Sequence, residues 1–125
     1  MPVLIQRNET YEIIGICIEV HRTLGHGFSE VLYKDAIEAE LKGKKIPFYR
    51  EKEYVVDYKG IILPHKYRAD FVIFENIIVE IKAAQGGISD ENISQLLNYL
   101  KISRCKVGLL INFGRTSLQY KRLVY

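Results

Sequence analysis

The segment Ala69-Asp70-Phe71-Val72-Ile73-Phe74-Glu75-Asn76-Ile77-Ile78-Val79-Glu80-Ile81-Lys82 sets two acids and a lysine among strand-forming apolar residues. Phe71 to Phe74 and Ile77 to Ile81 are β-branched and aromatic runs, and Glu75-Asn76 supplies a turn between them. The pattern is a hairpin. Glu80 and Lys82 are two residues apart, so in a strand they share one face while Ile81 points to the other. An ionised carboxylate in such a setting is costly unless it is paired or bound to a cation. The chain can fold around this hairpin only if something compensates the charge.

Register decides what the two acids can do together. With Glu75 and Asn76 alone as the loop, Phe71 faces Glu80 and Asp70 turns to the opposite face. With three loop residues centred on Glu75, Ile73 faces Ile77 and Asp70 faces Glu80. A bulge or twist near Asp70 has the same effect as the second register. The sequence does not choose between them. In the second register, an acid opposite an acid-x-lysine is the layout of a metal-dependent phosphodiesterase site.

The 125 residues suit one domain spanning 1–125, enough to bury roughly two-thirds of the unfolded surface. A net charge of +3 permits nucleic-acid binding without arguing for it, because a patch matters more than a sum. Cys17 lies in a helical apolar pattern and reads as a buried free thiol, and Cys105 completes no zinc spacing. The N-terminus has no leader pattern, and no apolar run approaches the ~18 residues of a membrane span. A cytoplasmic, soluble protein without membrane partners is the default expectation.

Ile13, Ile14, Cys17, Ile18, His21 and Leu24 recur at helical spacing, predicting a helix over Thr10 to Leu24, which Gly25-His26-Gly27 ends. A second helix is expected from about Ser29 to Lys42, with Ser29 as N-cap. Short strands follow at Phe48 to Glu51, Tyr54 to Tyr58 and Ile61 to Leu63, with a Lys59-Gly60 turn before the last. Beyond the central hairpin, Ser89 caps a third helix, and Ile88 can staple onto Ile93. Lys106 to Ile111 and Leu118 to Val124 read as the closing strands. This order implies an α/β fold, a mixed central sheet flanked by helices.

Three further positions attract notice. Glu30, Tyr33, Ile37 and Leu41 form one stripe on the second helix, with an acid at its head. Taken alone, Glu30 reads as a partner for the helix dipole rather than a group turned inward for chemistry. Gln95 and Tyr99 are four apart on the third helix and can project together at the mouth of a site. Taken alone, they read as an exposed amide and a half-buried phenol. Lys82 alone could blunt a sheet edge, and Glu80 alone could pair with Arg68 or Lys66. His21 reads as a core-facing helical histidine.

The joint occurrence of these residues resembles a known family. Gly27-Phe28-Ser29-Glu30-Val31-Leu32-Tyr33 fits the motif that names the GxxExxY proteins. Glu19-Val20-His21, Leu24-Gly25-His26-Gly27, Tyr67-Arg68-Ala69-Asp70, Glu80-Ile81-Lys82, Gln95 to Leu100 and Gly108 to Gly114 are similar to the same family, so the resemblance covers nearly the whole chain. That family is placed in the PD-(D/E)XK nuclease superfamily, in a group with a Gln-xxx-Tyr element like that of RecB-type nucleases. The resemblance implies a restriction-endonuclease-like core. It further implies Asp70 and Glu80 as metal ligands and Lys82 as the group that positions or activates water. Glu30 would be a helix-borne acid and third ligand, with Gln95 and Tyr99 supporting the site; Tyr33 is a further candidate support whose role the resemblance does not settle. Ala69 stands where the superfamily name has proline, a departure that removes no ligand.

The chemistry suits the residues. Phosphodiester hydrolysis needs a nucleophilic water and relief of charge on the phosphate and leaving oxygen. Mg²⁺ or Mn²⁺ held by a few carboxylate oxygens supplies both. The leading expectation is therefore a divalent-metal-dependent nuclease hydrolysing phosphodiester bonds of nucleic acid, with DNA the first candidate and a homodimer left open. The alternative is a catalytically silent nucleic-acid- or protein-binding module on the same fold, and the blandest reading is an assembly protein with internal salt bridges.

Overall fold

The computed structural model describes residues 6–125; residues 1–5, on which the leader expectation bears, lie outside them. Two helices come first, α1 (Arg7–Leu24) and α2 (Glu30–Gly43). The strand β1 (Phe48–Tyr54) leads into a small ribbon, β2 (Asp57–Tyr58) and β3 (Ile61–Ile62). The central hairpin is β4 (Tyr67–Ile73) and β5 (Ile77–Lys82), followed by α3 (Asp90–Ser103), β6 (Val107–Asn112) and β7 (Gln119–Val124). The main sheet runs β1-β4-β5-β6-β7, antiparallel except for the β5–β6 pair. A parallel pair needs a long crossover, and α3 supplies it. The expected mixed α/β architecture is what forms.

Local signals account for the helix ends. Ser29 accepts a hydrogen bond from the Leu32 amide, and Ser89 forms a reciprocal capping box with Asn92. One sequence expectation is revised: the strand begun at Phe48 continues to Tyr54, whereas only Asp57 and Tyr58 pair in the ribbon. Lys59 and Gly60, both at positive φ, make the tight turn expected there.

Two hydrophobic layers enclose the sheet. On one face α1 and α2 pack Ile13, Cys17, Tyr33, Ile37 and Leu41 against Phe71, Ile77, Val79 and Ile81. On the other, α3 packs Leu96, Tyr99 and Leu100 against Ala69, Val72, Ile78 and Leu110. Cys17 is a buried free thiol, and burial pushes it up to about 12. The α3 helix comes close because Gly108 of β6 has no side chain: a Cβ there would sit 2.9 Å from Leu96 Cδ1.

Strands β1 and β4 change face midway. Phe71 and Ile73 of β4 belong to the α1/α2 layer, yet Ala69 and Tyr67, of the same parity, pack in the α3 layer. On β1, Phe48 packs in the first layer and Tyr54 in the second. A regular strand keeps such residues on one face. The switch falls at Asp70 and at its neighbour across the ladder, Glu51, whose φ of 56° lies in the left-handed region. Backbone there costs a non-glycine residue about 1–3 kcal/mol.

The segment after β5 is fastened to the end of β6 by Asn112, which is fully buried. Its side-chain oxygen accepts from the Ala84 and Gly114 amides, and its amide nitrogen donates to Ala84 O and Gln119 Oε1. Gly114 is pressed so closely on Ala84 that a Cβ would lie 2.4 Å from its backbone. Gly114→Ala should therefore destabilise the fold by about 1–3 kcal/mol through overpacking. Urea unfolding measures this, and an unchanged midpoint would contradict the packing described.

Candidate active site

The hairpin adopts the register with three loop residues. Phe71 pairs with Val79, Val72 with Ile78 and Ile73 with Ile77, so Asp70 and Glu80 are next on the same diagonal. The turn is made by Phe74 and Glu75 at positive φ, and the Phe74 amide donates to Pro47 O, one step beyond the Phe48–Ile73 pair of β1 and β4. Pairing stops at Phe71 and Val79, and beyond that point carboxylates replace backbone carbonyls. The Asp70 amide donates to Glu80 Oε2 at 2.8 Å, and the Ile81 amide donates to Asp70 Oδ2 at 2.8 Å. Each acid thus holds the other strand's backbone.

The electrostatics of the pair are under-compensated. Glu80 is only 5% exposed, and no described residue donates a hydrogen bond to its Oε1. Burial first, and then the charge of Asp70, push its carboxyl up to about 8; the Asp70 amide, Lys82 and Lys34 pull the other way. Two like unit charges ~4 Å apart repel by about 4 kcal/mol at an effective dielectric near 20. The nearest relief is Lys34 of α2, which is buried and reaches Asp70 Oδ1 at 3.0 Å and Glu51 Oε2 at 3.4 Å. Lys82 is half-buried beyond Glu80 and forms no ion pair with any described residue.

The other sequence candidates fall around this centre in different ways. Tyr99 borders the carboxylates from α3: it is buried, its hydroxyl donates to Arg68 O at 2.9 Å, and its ring meets Tyr67 edge-on. Burial and the charges of Glu80 and Asp70 push its phenol up to about 12. Gln95, one turn before Tyr99, is exposed. Glu30 is exposed in the first turn of α2, the position that suits an acid at a helix N-terminus. The α2 side chain that touches Asp70 is Lys34, one turn further along the same face. Tyr33 is spent in the core: it stacks on Phe113 at 4.4 Å, and its hydroxyl donates to Gly25 O at 2.5 Å. His21 bonds Arg115 O through Nε2 at 2.8 Å, so it ties α1 to the loop after β6.

Three residues of consequence escaped the sequence reading. Lys34 shares the i, i+3, i+7 stripe of Ile37 and Leu41, and a charge on an apolar stripe was its available signal. Asn112 was visible only as a polar residue ending an apolar strand. Glu51 carried no signal, because its left-handed backbone depends on the strand opposite.

Asp70 and Glu80 offer hard carboxylate oxygens beside a shortage of positive charge, which fits a divalent cation. Among the described residues, no three His, Cys, Asp or Glu side chains already converge as a closed cage. Metal-free protein should lose stability as pH rises. An acid whose folded value, about 8, exceeds its ordinary 4.5 binds a proton in the native state that the unfolded chain has released. Between those values the native state holds more protons, so stability falls with pH. Urea unfolding with a chelator present should show wild type losing ground to Glu80→Gln from pH 5 to 8. Parallel curves for the two proteins would contradict the charge imbalance.

A family model described as the PD-(D/E)XK nuclease superfamily matches residues 7–123. The fold is similar to that in the crystal structure of SSO0001, with a TM-score of 0.58 and 23% sequence identity. That match covers 74% of this chain and 48% of the other, so the chain spans about half the length of SSO0001. No curated protein matches the sequence.

Proposed function

The chain belongs to the PD-(D/E)XK nuclease superfamily, and on that footing we propose that it is a Mg²⁺- or Mn²⁺-dependent nuclease acting on DNA. The observation that carries this reading is the Asp70–Glu80 pair, a half-buried and a buried acid joined through backbone amides and short of positive charge. Such a pair has little value as packing and a clear use as a seat for a hard divalent ion. Asp70 and Glu80 would hold the ion. Glu30, on the α2 face that carries Lys34, is the proposed third carboxylate. When bound, the ion supplies a Lewis acid that lowers the charge barrier on the phosphate and helps generate the nucleophile.

The remaining work belongs to side chains. Lys82 lies beyond Glu80 on the same strand with its ammonium unpaired by any described residue. It would orient the attacking water or donate to a phosphate oxygen as negative charge builds. Tyr99 holds the Arg68 carbonyl and so fixes the backbone immediately before Asp70. Gln95, exposed one turn away, can meet a phosphate with its amide. Tyr33 supports the site at a distance by tying down the loop that leads into α2. Sequence preference would come from the shape of the nucleic acid or from a partner, since each of the three helices among the described residues packs against the sheet.

One observation favours the rival, a catalytically silent nucleic-acid- or protein-binding module: Asp70 already has a cation partner in Lys34. Cleavage assays on single- and double-stranded DNA with Mn²⁺ or Mg²⁺ separate the two. Activity should depend on the metal and vanish in Glu80→Ala. Lys82→Ala should lose ~10²–10³ in rate, the usual cost of one preorganised donor, while metal binding survives. Wild-type rates in Lys82→Ala would assign the cleavage to another site or a contaminant.

A further inference from the structure

Lys34 stands where the proposed metal site would have to open. Its side chain is 10% exposed, and burying an ammonium is costly unless it is paired. Its Nζ lies 3.0 Å from Asp70 Oδ1 and 3.4 Å from Glu51 Oε2, bridging the two acids. Asp70 Oδ2 is already engaged by the Ile81 amide. Oδ1 is thus the oxygen that Asp70 has left for a cation, and a lysine covers it.

We propose that Lys34 is a tethered monovalent stand-in for the divalent ion, occupying Asp70 Oδ1 in the metal-free protein and transferring to Glu51 when the ion binds. The inference rests on the metal-dependent reading of the site. Two cations on one carboxylate oxygen repel each other, so the ion and the ammonium compete for it. Glu51 suits the receiving role. It is already within ion-pair distance, and its side chain is 43% exposed. Its other partners, Arg50 at 3.8 Å and Arg68 at 3.9 Å, sit at the outer edge of ion-pair range. A small rotation about the end of the lysine side chain completes the transfer, with α2 left in place. The positive φ of Glu51 has a use in this scheme, since it marks the turn of β1 where that carboxylate stands opposite Asp70.

Two consequences follow. The metal-free fold keeps a cation beside Asp70 and avoids leaving two bare carboxylates in its interior. The affinity for the divalent ion is lowered by the ion pair that must be broken, which sets a threshold of metal concentration for occupancy.

Calorimetric titration of the full chain with Mn²⁺ at fixed pH tests this. Lys34→Met, which keeps the bulk and removes the charge, should bind Mn²⁺ about tenfold tighter than wild type. Lys34→Arg should stay within about twofold of wild type. Glu51→Gln, which removes the receiving carboxylate, should bind several-fold more weakly. Melting curves give a second readout: Lys34→Met should melt lower than wild type without metal and gain more on adding Mn²⁺. Equal affinities in folded wild type and Lys34→Met would make Lys34 purely structural and overturn the inference while leaving the metal site intact. Absence of Mn²⁺ binding in both would overturn the inference and the metal-dependent reading together. Should Lys34→Met fail to fold, Glu51→Gln decides, and an affinity equal to wild type there overturns the transfer.

Discussion

The β4–β5 ladder ends by exchanging backbone acceptors for carboxylates, and the rest of the site depends on that exchange. In a regular sheet, the amides of Asp70 and Ile81 would bond to carbonyls of neighbouring strands. Here they donate to Glu80 Oε2 and Asp70 Oδ2. A carboxylate that accepts a backbone amide is held in place without a charged partner, and charge-assisted bonds of this kind are shorter and stronger than neutral ones. The arrangement satisfies the backbone where the strands part and leaves Asp70 Oδ1 to a cation, the Lys34 ammonium in this structure. Its cost is electrostatic, because burial and the charge of Asp70 keep a proton on Glu80 well above the usual carboxylate range. Stability and chemistry are therefore opposed at this one point of the sheet.

The surrounding fold can be understood as support for that point. Gly108 lets α3 settle against β6, which brings Tyr99 over the Arg68 carbonyl, two residues before Asp70. Asn112 meets Ala84 with both halves of its amide, holding the chain that leaves the sheet after Lys82. On the opposite side Tyr33 stacks on Phe113 and fastens the Gly25–Phe28 loop, from which α2 sets out toward Asp70 with Lys34. None of these contacts touches the carboxylates. Each limits where they can go.

Much of this was legible in the sequence, for identifiable reasons. The helices carry clear apolar stripes and side-chain caps at Ser29 and Ser89, and the alternation around Glu80, Ile81 and Lys82 held in the strand. The hairpin register was open because its three-residue loop puts Phe74 and Glu75, rather than a glycine, at positive φ. What stabilises that loop is the distant Pro47 carbonyl, which no local pattern reveals. The face switch at Glu51 and Asp70 was hidden for a similar reason, since alternation is read as though a strand were regular. On α2, Glu30 and Lys34 are one turn apart, and helical spacing marks a face without telling which of its residues the sheet will meet. The burial of Lys34 follows from the position of Asp70, a tertiary fact.

The family model establishes membership of the PD-(D/E)XK nuclease superfamily, and the likeness to SSO0001 bears on the fold alone, while the account of what the fold does rests on the carboxylate pair. The most direct test is anomalous diffraction from crystals soaked in Mn²⁺. The account predicts one strong peak within bonding distance of both an Asp70 and a Glu80 oxygen, absent in Glu80→Gln crystals. A map with no peak there, or with Mn²⁺ bound only elsewhere, would contradict the claim that this pair is built to receive a cation.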